Sequence, residues 1–289
     1  MKSEERQLEI DIPTLVTIST IAWILVNVSH EIIGHAGSAA LLGFQVRAVS
    51  TTTAYIEGDR ASSIGAVRIG LAAGTLVNLM GGLVALILLS LKRQANSATR
   101  YFLWLFSTFS FIIVAMNLVS VSLIGGGDWA EITRQLEPRG LWTAIIIGVG
   151  VIITVFGYVM PLRIWMPNMK DNRRAQLAVT VIPVVTLIVV QSLSLIGSPF
   201  ARLPSAENHL LACIFAYLHF ILWAILVNAL PVPRSKNPLE SIRLPRSYGW
   251  LAFGLALALF FLLVLGPGLG PLEEDPRLPG PIISPSCSA

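Results

Sequence analysis

The sequence predicts an all-α polytopic membrane protein with about seven transmembrane helices. Only 12% of its 289 residues are charged, whereas a typical soluble domain has roughly 25%, and its mean hydropathy is +0.74. Seven stretches are almost free of Asp, Glu, Lys and Arg, and each can supply the about 20 apolar residues that a spanning helix needs. They cover residues 12–46, where Glu31 is the exception, 69–91, 101–127, 140–162, 175–201, 208–233 and 247–272.

The segments outside the apolar runs predict little additional structure. The first run is too long, and too polar at its far end, to be a cleaved signal peptide, so we expect it to remain in the mature protein. Residues 44–56 are rich in Val, Thr and Tyr, which is typical of one or two short strands, although an irregular loop fits the same composition. A small sheet there would offer a strand edge. Residues 266–289 are rich in Pro and Gly and are predicted to form a disordered tail.

The charged residues predict an orientation and exclude one class of partner. Thirteen Lys and Arg side chains fall on the side of the N-terminus and seven on the other, and basic loops are usually cytoplasmic. We therefore expect a multi-pass protein of the cell membrane with its N-terminus inside and its C-terminus outside. The sequence has no basic stripe with interleaved aromatic residues, so we expect no nucleic-acid partner. Cys213 and Cys287 have no metal-ligand spacing.

One polar cluster interrupts the first apolar run. Residues 30–35 read His-Glu-Ile-Ile-Gly-His, so two imidazoles and the only carboxylate of the run lie within six positions. Ionisable groups at membrane depth normally face a protein interior or a wet cavity and take part in function. The alternative is a pair of hydrogen-bonded core histidines beside a buried, paired carboxylate. His30, Glu31 and His35 are therefore candidate site residues.

The spacing of the two histidines is one residue longer than in the zinc-binding motif H-E-x-x-H. In that motif the histidines bind zinc and the Glu activates water. Five steps of about 100° leave the imidazoles of His30 and His35 about 140° apart on a straight α-helix, so they could not both bind one ion. A π-type bulge absorbs one residue, and Gly34 makes such a distortion easy. The motif therefore predicts a bulged helix that carries two zinc ligands, with Glu31 as the base.

A catalytic zinc usually has three protein ligands, so a third ligand must lie elsewhere in the chain. Asp128 is the predicted ligand, because it follows the glycines at 125–127 at the end of the third apolar run. The first and third helices run parallel, so their C-terminal ends reach the same face of the membrane. For Asp128 the alternative is a solvated carboxylate after a glycine turn. Glu131, one helical turn further on, and His219, which could equally be a hydrogen-bonded packing residue, are the rival ligands.

Three motifs in the first half of the chain resemble the site-2 protease family of intramembrane zinc metallopeptidases, and they come in the family's order. The first is the cluster at residues 30–35, similar to H-E-x-G-H. The second is Ala-Gly-Thr-Leu-Val-Asn at 73–78, similar to A-G-P-x-x-N with Thr75 in place of proline. The third is Asn117 followed by Asp128, similar to Asn-Pro-x-Asp-Gly but stretched and without the proline and the following glycine.

The resemblance implies a role for each matching residue. The implied zinc ligands are His30, His35 and Asp128. Glu31 would be the general base, and two asparagines, Asn78 and Asn117, would lie near the substrate or the oxyanion. Both asparagines also fit a second role as hydrogen-bonding residues between helices.

The sequence thus predicts an intramembrane zinc endopeptidase that cleaves membrane-associated protein segments, with the lipid bilayer and a membrane protein or peptide as its partners. Residues 1–130 would form a three-helix protease core, 131–265 the accessory helices and 266–289 the tail. The alternative is a non-proteolytic membrane protein, either a metal-handling transporter or an inactive protease-like scaffold. Transporters usually have broken helices in both halves, whereas only the first half of this sequence is polar and interrupted by glycines.

Overall fold

The computed structural model describes residues 10–57, 63–91, 96–134, 136–165, 173–197, 206–229 and 244–270, most of which are helical. The helical elements are α1 Ile12–Val28, a first π segment Ser29–Ala36, α2 Gly37–Leu41, α3 Ile64–Leu91, α4 Ser97–Met116, a second π segment Asn117–Val121, α5 Gly127–Arg134, α6 Arg139–Trp165, α7 Arg173–Gly197, α8 Ala206–Ala229, α9 Tyr248–Phe260 and a third π segment Phe261–Leu265. Two strands, β1 Gln45–Val49 and β2 Ala54–Glu57, lie between α2 and α3.

Six helical stretches are long and apolar enough to cross a membrane. They are Ile12–Leu41, Ile64–Leu91, Ser97–Ser120, Arg139–Met160, Arg173–Ile196 and Tyr248–Leu265. The seventh predicted run corresponds to α8, of which Cys213–Ala229 is the described apolar stretch. The mostly helical architecture is therefore confirmed, and the six membrane-length helices found within the described ranges are consistent with a polytopic membrane protein.

Local side chains determine where two of the central helices begin. Asp11 precedes α1, and its carboxylate accepts the backbone N–H of Thr14 at 3.0 Å. Asn96 precedes α4 and accepts the backbone N–H of Thr99 at 2.8 Å. Each side chain satisfies an N–H group that has no partner within its own helix. These caps explain why each helix begins directly after a short polar side chain.

The core forms where α1 and α4 meet α7 and α8. Trp104 of α4 is fully buried. Trp23 of α1 makes edge-on ring contacts with Phe109 of α4 at 6.2 Å and with Phe220 of α8 at 5.6 Å. Its indole N–H donates to the side-chain oxygen of Gln191 in α7 at 3.1 Å. A buried indole with a satisfied N–H thus joins four helices, and α4 also packs against α3 and α6.

The predicted strands are confirmed as an antiparallel hairpin, so the irregular-loop alternative is wrong. An irregularity between Val46 and Ala48 sets Arg47 outside the regular pairing, and the Arg47 guanidinium donates to the Glu57 carboxylate at 2.5 Å. Both strands pack against the first π segment. The hairpin therefore lies beside the part of the chain that carries the polar cluster.

Ordered chain extends beyond residue 266, where the disordered tail was predicted to begin. Leu269 forms an antiparallel bridge with Val49 of β1, so the last described residues return to the hairpin. Residues 271–289, the rest of the predicted tail, lie outside the described residues. The division into a core at 1–130 and accessory helices at 131–265 stays a prediction.

Candidate metal centre

The first π segment brings the two predicted histidine ligands together. The Gly37 N–H bonds to the carbonyl of Ile32, five residues earlier, which is the hydrogen-bond step of a π-helix. The Nε2 atoms of His30 and His35 are 3.3 Å apart, and the ring centroids are 4.8 Å apart with an angle of 84° between the planes. The predicted bulge is therefore confirmed, and it removes the divergence of 140° expected on a straight helix.

A glycine turn directs the third predicted ligand towards the histidines. Gly125 and Gly127 have φ angles of +75° and +69°, which L side chains rarely adopt, and α5 begins at Gly127. The Oδ2 atom of Asp128 lies 3.3 Å from Nε2 of His35 and 3.7 Å from Nε2 of His30. The Asp128 side chain is only 5% exposed, so the solvated-carboxylate alternative is wrong. The three side chains form a buried group that can hold a metal ion.

A hydrogen bond to the backbone of α3 determines which nitrogen of His35 has a free lone pair. His35 Nδ1 lies 2.9 Å from the carbonyl oxygen of Gly70, and because a carbonyl only accepts, Nδ1 carries the proton and Nε2 is unprotonated in the neutral ring. Its lone pair then faces Nε2 of His30 and the Asp128 carboxylate. Three such electron-pair donors repel one another unless a proton or a metal cation lies among them. A histidine held through Nδ1 by a carbonyl is also the usual arrangement at metal sites.

Several polar atoms at this centre have no hydrogen-bond partner among the described residues. They are Oε2 of Glu31, Oδ1 of Asp128 and Oδ1 of Asn78, all of them buried. Burying such atoms unpaired is unfavourable, so the arrangement is incomplete without a further group. Glu31 is also close enough to both histidines and Asp128 to interact with them electrostatically. A cation with its water would satisfy the oxygens of Glu31 and Asp128.

Asp128, in α5, lies outside the membrane-length helices. When a proton, rather than a metal ion, lies between the histidines and Asp128, burial opposes ionisation of the carboxyl, but the charge of protonated His35 and hydrogen bonds from both histidines outweigh this and hold the pKa of Asp128 below its ordinary value of 3.8. The carboxylate is therefore the form that faces the histidines.

One face of α3 supports the two histidines. Gly70, Gly74 and Asn78 are spaced four residues apart and so share a face. Gly70 supplies its carbonyl to His35. A Cβ atom on Gly74 would lie 2.5 Å from Nε2 of His35 and 2.9 Å from Nε2 of His30, so only glycine leaves room for the two rings.

The amide of Asn78 lies against the second ring nitrogen of His30. Its Nδ2 is 3.4 Å from Nδ1 of His30, and its Oδ1 is buried without a partner. Rotating the amide by 180° exchanges its oxygen and its nitrogen. If His30 binds a metal through Nε2, its Nδ1 carries the proton, and the rotated amide would accept that proton through Oδ1. Like the Gly70 carbonyl, the Asn78 amide thus contacts the histidine ring nitrogen that faces away from the proposed metal. The predicted position of Asn78 near the substrate stays a prediction.

A second contact from α3 holds the helix that carries Asp128. The indole N–H of Trp129 donates to the hydroxyl of Thr75 at 2.9 Å. Thr75 is buried and follows Gly74 directly, so one turn of α3 contacts both the histidine rings and the residue after Asp128. The position at which the family motif has proline thus supplies a hydrogen-bond acceptor here.

The rival ligands have other partners. Glu131 pairs with Arg134 at 2.7 Å. His219 lies 3.2 Å from the hydroxyl of Ser120 and donates to its own helix through Nδ1, as expected of a packing residue. Neither belongs to the group of three found among the described residues. Asn117 begins the second π segment, and its described contact is local, a backbone carbonyl that accepts the Ser122 hydroxyl at 3.0 Å.

Two supporting positions were not predicted from the sequence. The carbonyl of Gly70 has no side-chain signature, and Trp129 resembles an ordinary interfacial aromatic. The four-residue spacing of Gly70, Gly74 and Asn78 was the available signal, since a small-residue face on a membrane helix indicates close approach of another helix.

No protein-family model, curated protein or solved structure matches this chain. These comparisons therefore do not show that the chain belongs to the family its three motifs resemble.

Proposed function

We propose that this protein is an intramembrane zinc metalloendopeptidase, similar to site-2 proteases, that hydrolyses peptide bonds in membrane-associated protein segments. The observation that carries the proposal is a buried carboxylate, that of Glu31, within electrostatic range of a buried group of two histidines and an aspartate. Oε2 of Glu31 is buried without a partner, and Glu31 interacts electrostatically with all three members of the group. A ligand set plus an adjacent base is the minimum that metal-assisted hydrolysis requires.

The spacing of the ligand atoms fits zinc. Two ligand atoms at about 2.0–2.1 Å from a tetrahedral zinc ion are about 3.3–3.4 Å apart. The two Nε2 atoms are 3.3 Å apart, and Asp128 Oδ2 lies 3.3 and 3.7 Å from them. His30, His35 and Asp128 would hold the ion, and the fourth position would remain open for water. A bound zinc lowers the pKa of water towards about 7 and polarises the scissile carbonyl.

Glu31 performs the proton transfers in this proposal. Its carboxylate accepts a proton from the attacking water as the new C–O bond forms. It then delivers this proton to the leaving amine as the C–N bond breaks, so Glu31 is regenerated in each cycle. Gly70 and Asn78 keep the histidine rings oriented through their Nδ1 atoms. Thr75 and Trp129 hold α5 in place behind Asp128.

The substrate must be extended at the point of cleavage, because the peptide bonds of a helix are enclosed by its own hydrogen bonds. The β1–β2 hairpin packs against the π segment that carries Glu31. Backbone pairing to a strand of this hairpin would hold an unwound substrate segment beside the centre. This supports a protein or peptide substrate rather than a small solute.

The test measures zinc per purified chain and cleavage of co-expressed single-span membrane proteins. Glu31→Gln should retain zinc and lower cleavage at least about 100-fold, whereas His35→Ala should lose the zinc. Glu131→Gln is the matched control, since Glu131 pairs with Arg134, and it should change neither quantity. If Glu31→Gln cleaves as wild type does, the peptidase proposal is refuted; zinc in a chain with no Glu31-dependent cleavage would indicate a metal-handling or scaffold protein.

A further inference from the structure

The C-terminal end of the described chain contacts the hairpin through one β-bridge, between Leu269 and Val49 of β1. The Val49 N–H donates to the Leu269 carbonyl at 2.9 Å, and the Leu269 N–H donates to the Val49 carbonyl at 2.8 Å. This is a closed antiparallel pair. Val49 is also the partner of Ala54 in β2. Val49 of β1 is therefore paired on one side with β2 and on the other side with Leu269.

The segment approaches β1 more closely than most residues would allow. Gly270 has a φ of +113°, and a Cβ atom there would overlap the carbonyl oxygen of Arg47 and lie 3.0 Å from the Cα of Ala48. Gly268, on the other side of Leu269, also has a positive φ, +87°. The two glycines thus place Leu269 in contact with the strand edge through backbone geometry that side chains would oppose.

The contact is short and lies beside the candidate metal centre. One residue, Leu269, forms the bridge to β1, and β1 packs against the π segment that carries the histidines and Glu31. A strand edge with unpaired N–H and C=O groups is a binding site for an extended peptide. An added strand of several residues would make more hydrogen bonds than this single bridge does.

We propose that residues 268–270 are an intramolecular competitor that occupies the β1 edge at which an extended substrate segment pairs. The proposal rests on the proposed peptidase function. It also specifies the substrate class, because the closest approach falls at Gly270. The preferred substrate segment is extended and has glycine directly after the residue that pairs with Val49. Residues 268–270 must then leave the edge before a substrate can pair with it. The larger the fraction of protein molecules whose edge is occupied by this segment, the lower the apparent affinity for substrate.

The first arm of the test locks the segment in place. Val49→Cys and Leu269→Cys are combined in a chain whose own cysteines are changed by Cys213→Ser and Cys287→Ser. The Cα atoms of such a pair are about 5.5 Å apart, within the about 4.4–6.8 Å that a disulfide spans. The probe is a labelled peptide, Leu-Gly-Pro-Gly-Leu-Gly-Pro-Leu, copied from residues 265–272, and its binding is followed by fluorescence anisotropy. We expect the oxidised protein to bind it at least about tenfold more weakly than the reduced protein.

The second arm releases the segment in the full-length chain. Gly270→Ala introduces the Cβ that the Arg47 carbonyl excludes. The control is Gly249→Ala, because a Cβ on Gly249 would have no neighbour within 4 Å. We expect Gly270→Ala to lower the peptide Kd and the substrate KM about fivefold, with kcat unchanged, and the control to change none of them. Equal peptide binding by the oxidised and reduced proteins, or weaker binding after Gly270→Ala, would show that the segment is a structural strand and would overturn the proposal.

The two proposals fail separately. If the released edge binds the peptide but Glu31→Gln does not change its cleavage, the peptidase function fails while the edge remains a peptide-binding surface that its own chain occupies. If cleavage depends on Glu31 but neither the lock nor the release alters peptide binding, the competitor fails while the peptidase stands.

Discussion

Gly74→Ala is the most direct test of the candidate metal centre, because it adds one carbon atom and no charge. That carbon would lie 2.5 Å from Nε2 of His35 and 2.9 Å from Nε2 of His30, whereas ordinary contact begins at 3.4 Å. The His35 nitrogen would therefore have to move by about 0.9 Å, yet zinc sites tolerate only about 0.2 Å in ligand distance. The substitution should displace the histidine ligand atoms without replacing Glu31 or Asp128.

The expected magnitude follows from this displacement. Removing an outer partner of a ligand typically costs about 10–100-fold in metal affinity, and moving the ligand atom itself should cost at least as much. That is about 1.4–2.8 kcal/mol of binding free energy or more. Replacing glycine by alanine inside a helix also stabilises the helix by about 0.5–1 kcal/mol, so loss of metal cannot be attributed to a weakened α3.

The assay is a zinc titration against a chromophoric chelator, with the Tm of the detergent-solubilised protein measured alongside. Gly81→Ala is the matched control in the same helix, since its Cβ would meet Phe106 at 3.4 Å, an ordinary contact. We expect Gly81→Ala to bind zinc like the wild type and Gly74→Ala to bind it at least about tenfold more weakly. Equal affinity in both variants would refute the assignment of the two imidazoles as ligands of one ion.

Three further outcomes are expected. Asn78→Leu should lower zinc affinity about 10–100-fold by removing the acceptor for the Nδ1 proton of His30, and Asn78→Asp, which keeps an acceptor, should retain most of it in the same chelator titration. Thr75→Val should lower zinc affinity about two- to tenfold through loss of the Trp129 hydrogen bond, with Thr75→Ser restoring it; an unchanged affinity in Thr75→Val would contradict a positioning role. Burial opposes ionisation of Asp11, but hydrogen bonds from Thr14 and the charge of Arg246 hold the pKa of Asp11 below its ordinary value of 3.8. Ionised Asp11 therefore stabilises the folded protein at pH values above 3.8. This stabilisation is lost as the pH falls through the pKa that Asp11 has in the folded state. The Tm difference between wild type and Asp11→Asn, which keeps a capping side chain, should therefore shrink between about pH 5 and pH 3, and a constant difference would contradict this.

Features that depend on local sequence could be predicted. The apolar runs and the lone carboxylate of the first run indicated membrane-length helices with a buried polar cluster, because burial of charge in an apolar stretch is visible in the residues themselves. The fixed angular step of the α-helix showed that His30 and His35 needed a bulge, and the β-branched composition of residues 44–56 indicated the hairpin.

Features that depend on contacts between distant segments could not be predicted. Asp128, Glu131 and His219 were all chemically suitable ligands, and the choice depended on the direction in which α5 leaves the turn at Gly127. The roles of Gly70, Asn78 and Thr75 likewise depended on which face of α3 meets the π segment.

By itself, the sequence determined that this chain buries a His-Glu-His cluster in a membrane-length helix that must be distorted to bring both histidines together. Only the tertiary structure decided that Asp128 completes the group, that α3 orients the histidine rings, and that Leu269 occupies the edge of β1. The physical reason is that helical period and hydropathy are properties of neighbouring residues. Convergence of side chains 98 positions apart, from His30 to Asp128, instead depends on how whole helices pack against one another.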